Sequence, residues 1–277
     1  MSSEYSDVIM QAKDYYDSDD ADEFYYNIWG GEDFHLGIYH REDEPIFDAS
    51  RRTVKTMAGM VSLDKTTKVL DIGAGYGGAA RYLAQNHGCK VWCLNLSEKE
   101  NERNRQKNGE QKLEHLIEVH DGCFEELPFE DEFFDVVWSE DAILHSGEKD
   151  RVISEAVRVM RRGGEFVFTD PMQADDCPEG VLQPVLDRIN LQSMGSMKLY
   201  RELAAQNGLE EVLWVDLAKH LPRHYARVRT ELEKRYDQLL GTISREYLDN
   251  MLAGLTHWVN AGNNGYLNWA MLYFVKR

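Results

Sequence analysis

Positive charge is scarce in this sequence: 31 lysines and arginines stand against 49 aspartates and glutamates, a formal net charge of −18. A field of that sign repels phosphate backbones and anionic headgroups, so neither nucleic acid nor a membrane surface is an expected partner. No stretch approaches about 18 uninterrupted apolar residues, the length a spanning helix needs. The acidic opening MSSEYSDVIMQAKDYYDSDD has neither the basic nor the apolar region of a leader. Cysteine is also sparse. Cys89, Cys93, Cys123 and Cys177 show no CxxC pairing or zinc-ligand spacing and read as free thiols in a reducing compartment, so the expected location is cytoplasmic. The nine histidines form no HxH or HExxH grouping, and no metal is expected. Internal repeats and low-complexity tracts are lacking.

A core, by contrast, is amply provided. Hydrophobic residues make up 43% and aromatics 11% of 277 residues, which suits one large α/β domain with an added cap. Residues 1 to about 50 alternate aromatic and acidic positions and read as a helix, a turn and a second short element. An amphipathic helix comes next over 48–62, through Val54, Met57, Ala58 and Val61. Strand and helix then alternate. Strands are expected at 68–74, 90–96, 116–122, 133–140 and 165–171. Helices are expected at 79–87, at 97–108 with Ser97 and Glu100 spaced as a capping box, and at 149–160, closed by Gly163–Gly164. A helical insert covers about 172–207, a sixth strand 212–218, helices run to about 260, and a seventh strand is 268–277. The pattern predicts a seven-stranded, mostly parallel, doubly wound sheet with helices on both faces. Residues 1–62 are expected to form a helical cap, joined by the insert at about 172–207 so that the cap comes from two separate regions, and 63–277 the main domain.

The segment VLDIGAGYGG (69–78) carries the strongest motif. A glycine-rich turn directly after a buried strand lets a ligand approach the backbone, with a helix N-terminus beyond it. Asp71 stands where a dinucleotide fingerprint has an apolar residue, and Gly73, Gly75 and Gly77 put the third glycine one position early, although Gly78 completes the GxGxxG spacing, so the downstream segments decide. Downstream come HDGCFEELPFEDEFFDVVWSEDAILH (120–145) and VMRRGGEFVFTDP (159–171). In order and spacing these segments resemble the class I methyltransferases over about 65–175, which implies a Rossmann-like fold and S-adenosylmethionine as methyl donor. The resemblance puts Asp71 near the donor's methionine amino group, beside Gly73, Ala74 and Gly75. Asn95 and Leu96 fall at the ribose, with Asn95 where the family usually carries an acid. Asp121 would meet the adenine amine, with Gly122 and Cys123 beside the ring, and Ser139 and Glu140 would lie beneath the methionine. Tyr26, His35 and Leu36 of the cap would cover that end. A Gly73→Val change is expected to fill the methionine's space and leave the fold intact.

The residues just after strand four narrow the choice of acceptor. Ser139-Glu140-Asp141-Ala142 replaces the (N/D)PP(Y/F) motif of DNA and protein-amide methylases. The segments YYNIWGGEDFHLGIY (25–39), LNLSEKENERNR (94–105), WSEDAILHSGEKDRVISEAVRVM (138–160), HYARVRTELE (224–233) and GYLNWAMLYFVK (265–276) resemble the sarcosine/dimethylglycine N-methyltransferases of glycine betaine synthesis. That resemblance runs over nearly the whole chain and implies a small amino-acid substrate. Phosphoethanolamine N-methyltransferases share the SxDAILH stretch and form a second reading, although they carry arginine where Glu140 stands. Betaine formation asks for a cation facing the substrate carboxylate, and Arg188, Lys198, Arg201 and Arg223 are candidates. The acceptor nitrogen must shed its proton; His145, through water with Asp141, is the candidate base, and loss to solvent is the alternative. Aromatic faces suit the quaternary ammonium product, and Tyr25, Trp29, Tyr200 and Tyr225 could supply them. The oligomeric state is not legible.

Overall fold

The computed structural model describes residues 6–277. Five parallel strands come first: β1 (Lys68–Ile72), β2 (Lys90–Asn95), β3 (Ile117–Asp121), β4 (Phe134–Glu140) and β5 (Met160–Gln173). β1 is buried from Val69 onward, as a central strand covered on both faces requires. The sheet continues with β6 (Leu209–Asp216) and β7 (Leu267–Lys276) in the order β3-β2-β1-β4-β5-β7-β6, and β7 runs antiparallel to both its neighbours. This is the seven-stranded, mostly parallel sheet read from the sequence.

Two cores flank it. Val69, Val91, Val136, Trp138 and Trp269 face one side, with α3 (Ile46–Ala58) and α4 (Gly78–His87); Leu70, Ile72, Leu94, Val137 and Phe168 face the other, with α6 (Lys149–Val159) and α8 (Met197–Gln206). The alternation of neighbouring strand residues between the two sets is the period of two expected of a pleated sheet. α3 therefore packs into the main core and not into a separate unit. A third cluster joins Phe24, Ile28 and Trp29 to Val228, Leu232, Leu248 and Met251. Those last four come from α9 (His220–Leu239) and α10 (Arg245–Asn263), which make up a hairpin between β6 and β7.

Several local expectations need correction. Residues 7–29 form two helices, α1 (Asp7–Asp17) and α2 (Asp19–Trp29), because the Ser18 side chain caps the second at Ala21 N. Gly163–Gly164 do not close α6, which ends at Val159; Met160 already pairs with Phe134, and the glycines lie in β5 beside its register shift. The capping box on α5 (Glu98–Glu110) is half made. Ser97 accepts from Glu100 N, but the Glu100 carboxylate turns to Asn95 Nδ2 at 2.8 Å. The insert also divides: α7 (Gln183–Arg188) packs on α10, whereas α8 returns to the opposite face of the sheet. The cap is thus drawn from the N-terminal helices, α7 and the α9–α10 hairpin, three regions where two were expected. Among the described residues, no helix is long and apolar enough to cross a membrane. Cys89, Cys93 and Cys123 are buried, Cys177 is half-buried, and all four are unpaired.

Candidate active site

A cavity of about 180 Å³ lies over the carboxyl ends of β1, β2 and β4, beneath the cap. Open α/β sheets place ligands at this edge because the strand order reverses there, here between β1 and β4. β1 ends at Gly73, with φ +80°, whose N–H donates to Leu94 O at 2.8 Å; Gly75 and Gly77 also take positive φ before α4 begins. A β-carbon on Gly73 would lie 2.3 Å from Ala142 Cβ, and one on Gly75 would lie 2.3 Å from Phe34 Cε1. The glycines therefore admit the β4 loop and the cap as well as a ligand. The expectation that a side chain at Gly73 would leave the fold intact is overturned by that contact.

One end of the cavity is strongly acidic. Asp33, Asp71, Glu140 and Asp141 line it together with His35, whose Nε2 contacts Glu140 Oε2. Burial pushes Asp71 well above the usual carboxylate range, with Glu140 adding to the shift, and burial raises Asp33 to about 6. Asp33 Oδ1 and Glu140 Oε1 are buried without a hydrogen-bond partner. Arg51 Nε already faces Asp33 Oδ2 at 2.9 Å, and the carboxylates left over beside it suit a cationic ligand. Asp141 serves another purpose. Its backbone takes φ +54°, and its carboxylate accepts Leu36 N at 2.7 Å and Trp269 Nε1 at 2.8 Å, tying cap to sheet.

Burial alone would lower His35, but Glu140, Asp33 and Asp141 outweigh it and hold the imidazole at about 9 against its usual 6.5. Folded His35 keeps a proton that the unfolded chain has released, so its contribution is full below about pH 6.5 and lost as pH rises through about 9. His35→Gln is expected to flatten the alkaline fall in melting temperature of the ligand-free protein across that window. An unchanged slope would place the titrating group elsewhere.

Beyond β2 the walls become polar. Asn95, Leu96 and Glu100 line one side, and Gly122, Cys123, Phe124 and Glu125 the next. Burial raises Glu100 to about 8, against the opposing hydrogen bond from Asn95. The remaining end is aromatic: Tyr16, Tyr25, Trp29, Tyr225 and Trp258 surround it, and the Tyr225 and Trp258 ring centroids are 4.6 Å apart. Arg188 reaches into this end. It donates to Tyr15 Oη at 3.3 Å, approaches Met251 Sδ at 2.7 Å, and has no carboxylate partner among the described residues. His145 Nε2 meets Tyr16 Oη at 2.8 Å. Burial, then Lys149 and Arg188, push His145 down to about 4, so its ring is neutral.

Of the residues named from sequence, His35, Leu36, Asp71, Gly73, Ala74, Gly75, Asn95, Leu96, Gly122, Cys123, Glu140, Asp141, His145, Tyr25, Trp29, Arg188 and Tyr225 come together around this cavity. Four do not. Tyr26 faces away, its ring 4.2 Å under the Arg103 guanidinium, because helical neighbours of Tyr25 point about 100° from it. Asp121 is exposed and held by Asn101 and Arg105. Ser139 is buried and donates to Ile72 O at 2.8 Å. Tyr200 sits across the sheet, donating to Asp170. Lys198 and Arg201 share its helix, and Arg201 pairs with Glu211. Asp141 and His145 make no direct pair, since each is committed to another partner.

Sequence reasoning missed Asp33, Phe34, Glu100 and Trp258. Glu100 reads from the sequence as a capping-box residue, and nothing local in its charge-rich helix marks it as the buried one.

A methyltransferase-domain family profile matches residues 70–168. The chain is 56% identical over 278 residues to the sarcosine/dimethylglycine N-methyltransferase of Halorhodospira halochloris, covering 100% of each. It is 57% identical to the enzyme of the same name from Aphanothece halophytica, covering 97% of this chain and 98% of the relative. A crystal structure assigned as a sarcosine dimethylglycine methyltransferase from Galdieria sulphuraria superposes with a TM-score of 0.90 at 41% identity, over 95% of this chain and 98% of that one. With this agreement along its full length, the chain belongs to the sarcosine/dimethylglycine N-methyltransferases.

Proposed function

We propose that the chain methylates the nitrogen of sarcosine and then of dimethylglycine, with S-adenosylmethionine as donor, to give glycine betaine. The observation that carries this reading is Arg188, a guanidinium in the cavity wall of a chain with net charge −18, left without a carboxylate of its own among the described residues. A small acceptor that brings a carboxylate completes it. The acidic end suits the ammonium and sulfonium of the donor: Asp33, Asp71 and Glu140 would hold them, and Asn95 with Glu100 would receive the ribose hydroxyls. S-adenosylmethionine held there would supply an electrophilic methyl carbon, whose bond to sulfur would break as the acceptor's lone pair attacks in line, with the thioether S-adenosylhomocysteine leaving.

The aromatic rings at the other end face the growing ammonium, where each cation–π contact contributes about 0.5–2 kcal/mol. Asp141, by fixing Leu36, holds the cap shut and keeps water from the reacting atoms. His145 is a poor base, because burial has already pushed it down to about 4. It orients Tyr16 instead, and the acceptor sheds its proton to solvent on entering an apolar chamber that holds a guanidinium. His145→Gln is therefore expected to lower kcat/KM by at most about tenfold with the pH profile unchanged. General-base removal would cost about 10²- to 10⁴-fold and flatten the acidic limb, an outcome that would restore His145 as the base.

Mass-spectrometric assay with glycine, sarcosine, dimethylglycine and phosphoethanolamine tests the reading. Product is expected from sarcosine and dimethylglycine, and turnover of phosphoethanolamine alone would overturn it. A phosphate dianion calls for several converging cations. Besides Arg188, the cavity wall offers Lys13, which already pairs with Asp17 and Glu98.

A further inference from the structure

Gly254 stands in the middle of α10, buried, in a position where alanine would serve the helix better. Such a glycine asks for a packing reason. A β-carbon there would lie 2.0 Å from Arg188 Cδ, 2.6 Å from Nε and 3.0 Å from Cγ, so the three nearest atoms all belong to one side chain. The missing methyl accommodates the Arg188 stem rather than a neighbouring helix. Laid across the α10 backbone, the stem delivers its guanidinium to Tyr15 Oη and to Met251 Sδ, one turn before the glycine. From there it lines the aromatic end of the cavity.

We propose that Gly254 is the positioning residue for Arg188: it forms the seat that fixes where the acceptor's carboxylate is read. This rests on the carboxylate-binding role proposed for Arg188. What a methyl at Gly254 displaces is a flexible side chain and not backbone, so the fold absorbs the change while the guanidinium moves. Displacements of about an ångström are enough to disturb a bound geometry.

Gly254→Ala is expected to leave the melting temperature unchanged or slightly raised, with donor affinity unaltered by calorimetry. The KM for dimethylglycine is expected to rise about tenfold or more, the scale of losing one charge-assisted hydrogen bond, while kcat changes by less than about threefold. A merely structural glycine would lower the melting temperature and leave that split unmade. In an Arg188→Gln background, Gly254→Ala is expected to add nothing to KM, because the group it positions is gone. An unchanged KM in the single variant, or an equal rise in both backgrounds, overturns the proposal. Wild-type turnover of dimethylglycine tests the functional reading by itself. If that fails, the same cycle is run with whichever anionic acceptor the wild type does methylate, and the coupling between Gly254 and Arg188 is judged there.

Discussion

Arg188→Gln is expected to raise the KM for dimethylglycine by about 10- to 100-fold, the loss incurred when a carboxylate's charged hydrogen-bond partner becomes neutral. Initial-rate kinetics would measure it. Donor affinity should hold, because the acidic end proposed to receive the donor lies on other residues, Asp33, Asp71 and Glu140 among them. Stability should not suffer either. A cation drawn out of water with no carboxylate opposite it among the described residues is a liability to the fold, so a shorter, neutral amide is expected to raise the melting temperature. Loss of acceptor affinity together with a gain in stability is the signature of a group kept for its ligand. An unaltered KM would send the carboxylate to another cation, and Lys13, in the cavity wall beside Asp17, is the next candidate.

The second large effect concerns the turn after β1. Gly73→Val is expected to abolish detectable binding of S-adenosylmethionine in calorimetry and also to lower the melting temperature. Gly73 holds φ +80°, where a β-branched residue is a genuine outlier, and strain of this kind costs about 1–3 kcal/mol. The new side chain would also strike Ala142, next to Asp141, whose carboxylate ties Leu36 of the cap to Trp269 of the sheet. For a chain of this size, about 2–4 °C of melting temperature goes with each kcal/mol. A drop of roughly 2–12 °C is expected to accompany the loss of binding. Retained nanomolar-to-micromolar donor affinity would remove the glycine turn from the site.

The sheet and the donor edge were readable in the sequence because their physics is local. VLDI with glycines directly after it declares a buried strand and a tight turn, and nothing elsewhere in the chain changes that meaning. The misses share a different cause. Tyr26 and Tyr25 are indistinguishable by composition, and which one faces inward depends on how α2 rolls onto α9 and α10. Tyr200 lay in the segment expected to form the cap, but the chain crosses the sheet between α7 and α8, a turn without a strong punctuating motif. Asp121 had the right neighbours, yet Asn101 and Arg105 of α5 hold it on the surface. Arg188 could not be chosen from four cations by sequence alone, since what sets it apart is the want of an acid nearby. Trp258 and Met251 reach the cavity from a hairpin nearly 200 residues after β1, and pairings at that separation leave no local trace.

β7 lies between β5 and β6, not at an edge of the sheet. During synthesis β6 can therefore find its place only when residues 267–276 have emerged, and until then the α9–α10 hairpin has nothing to anchor its far end. The strand ends that carry Asp71, Asn95 and Glu140 all precede β5 in the chain, whereas the aromatic end of the cavity waits for Tyr225 and Trp258 of the hairpin.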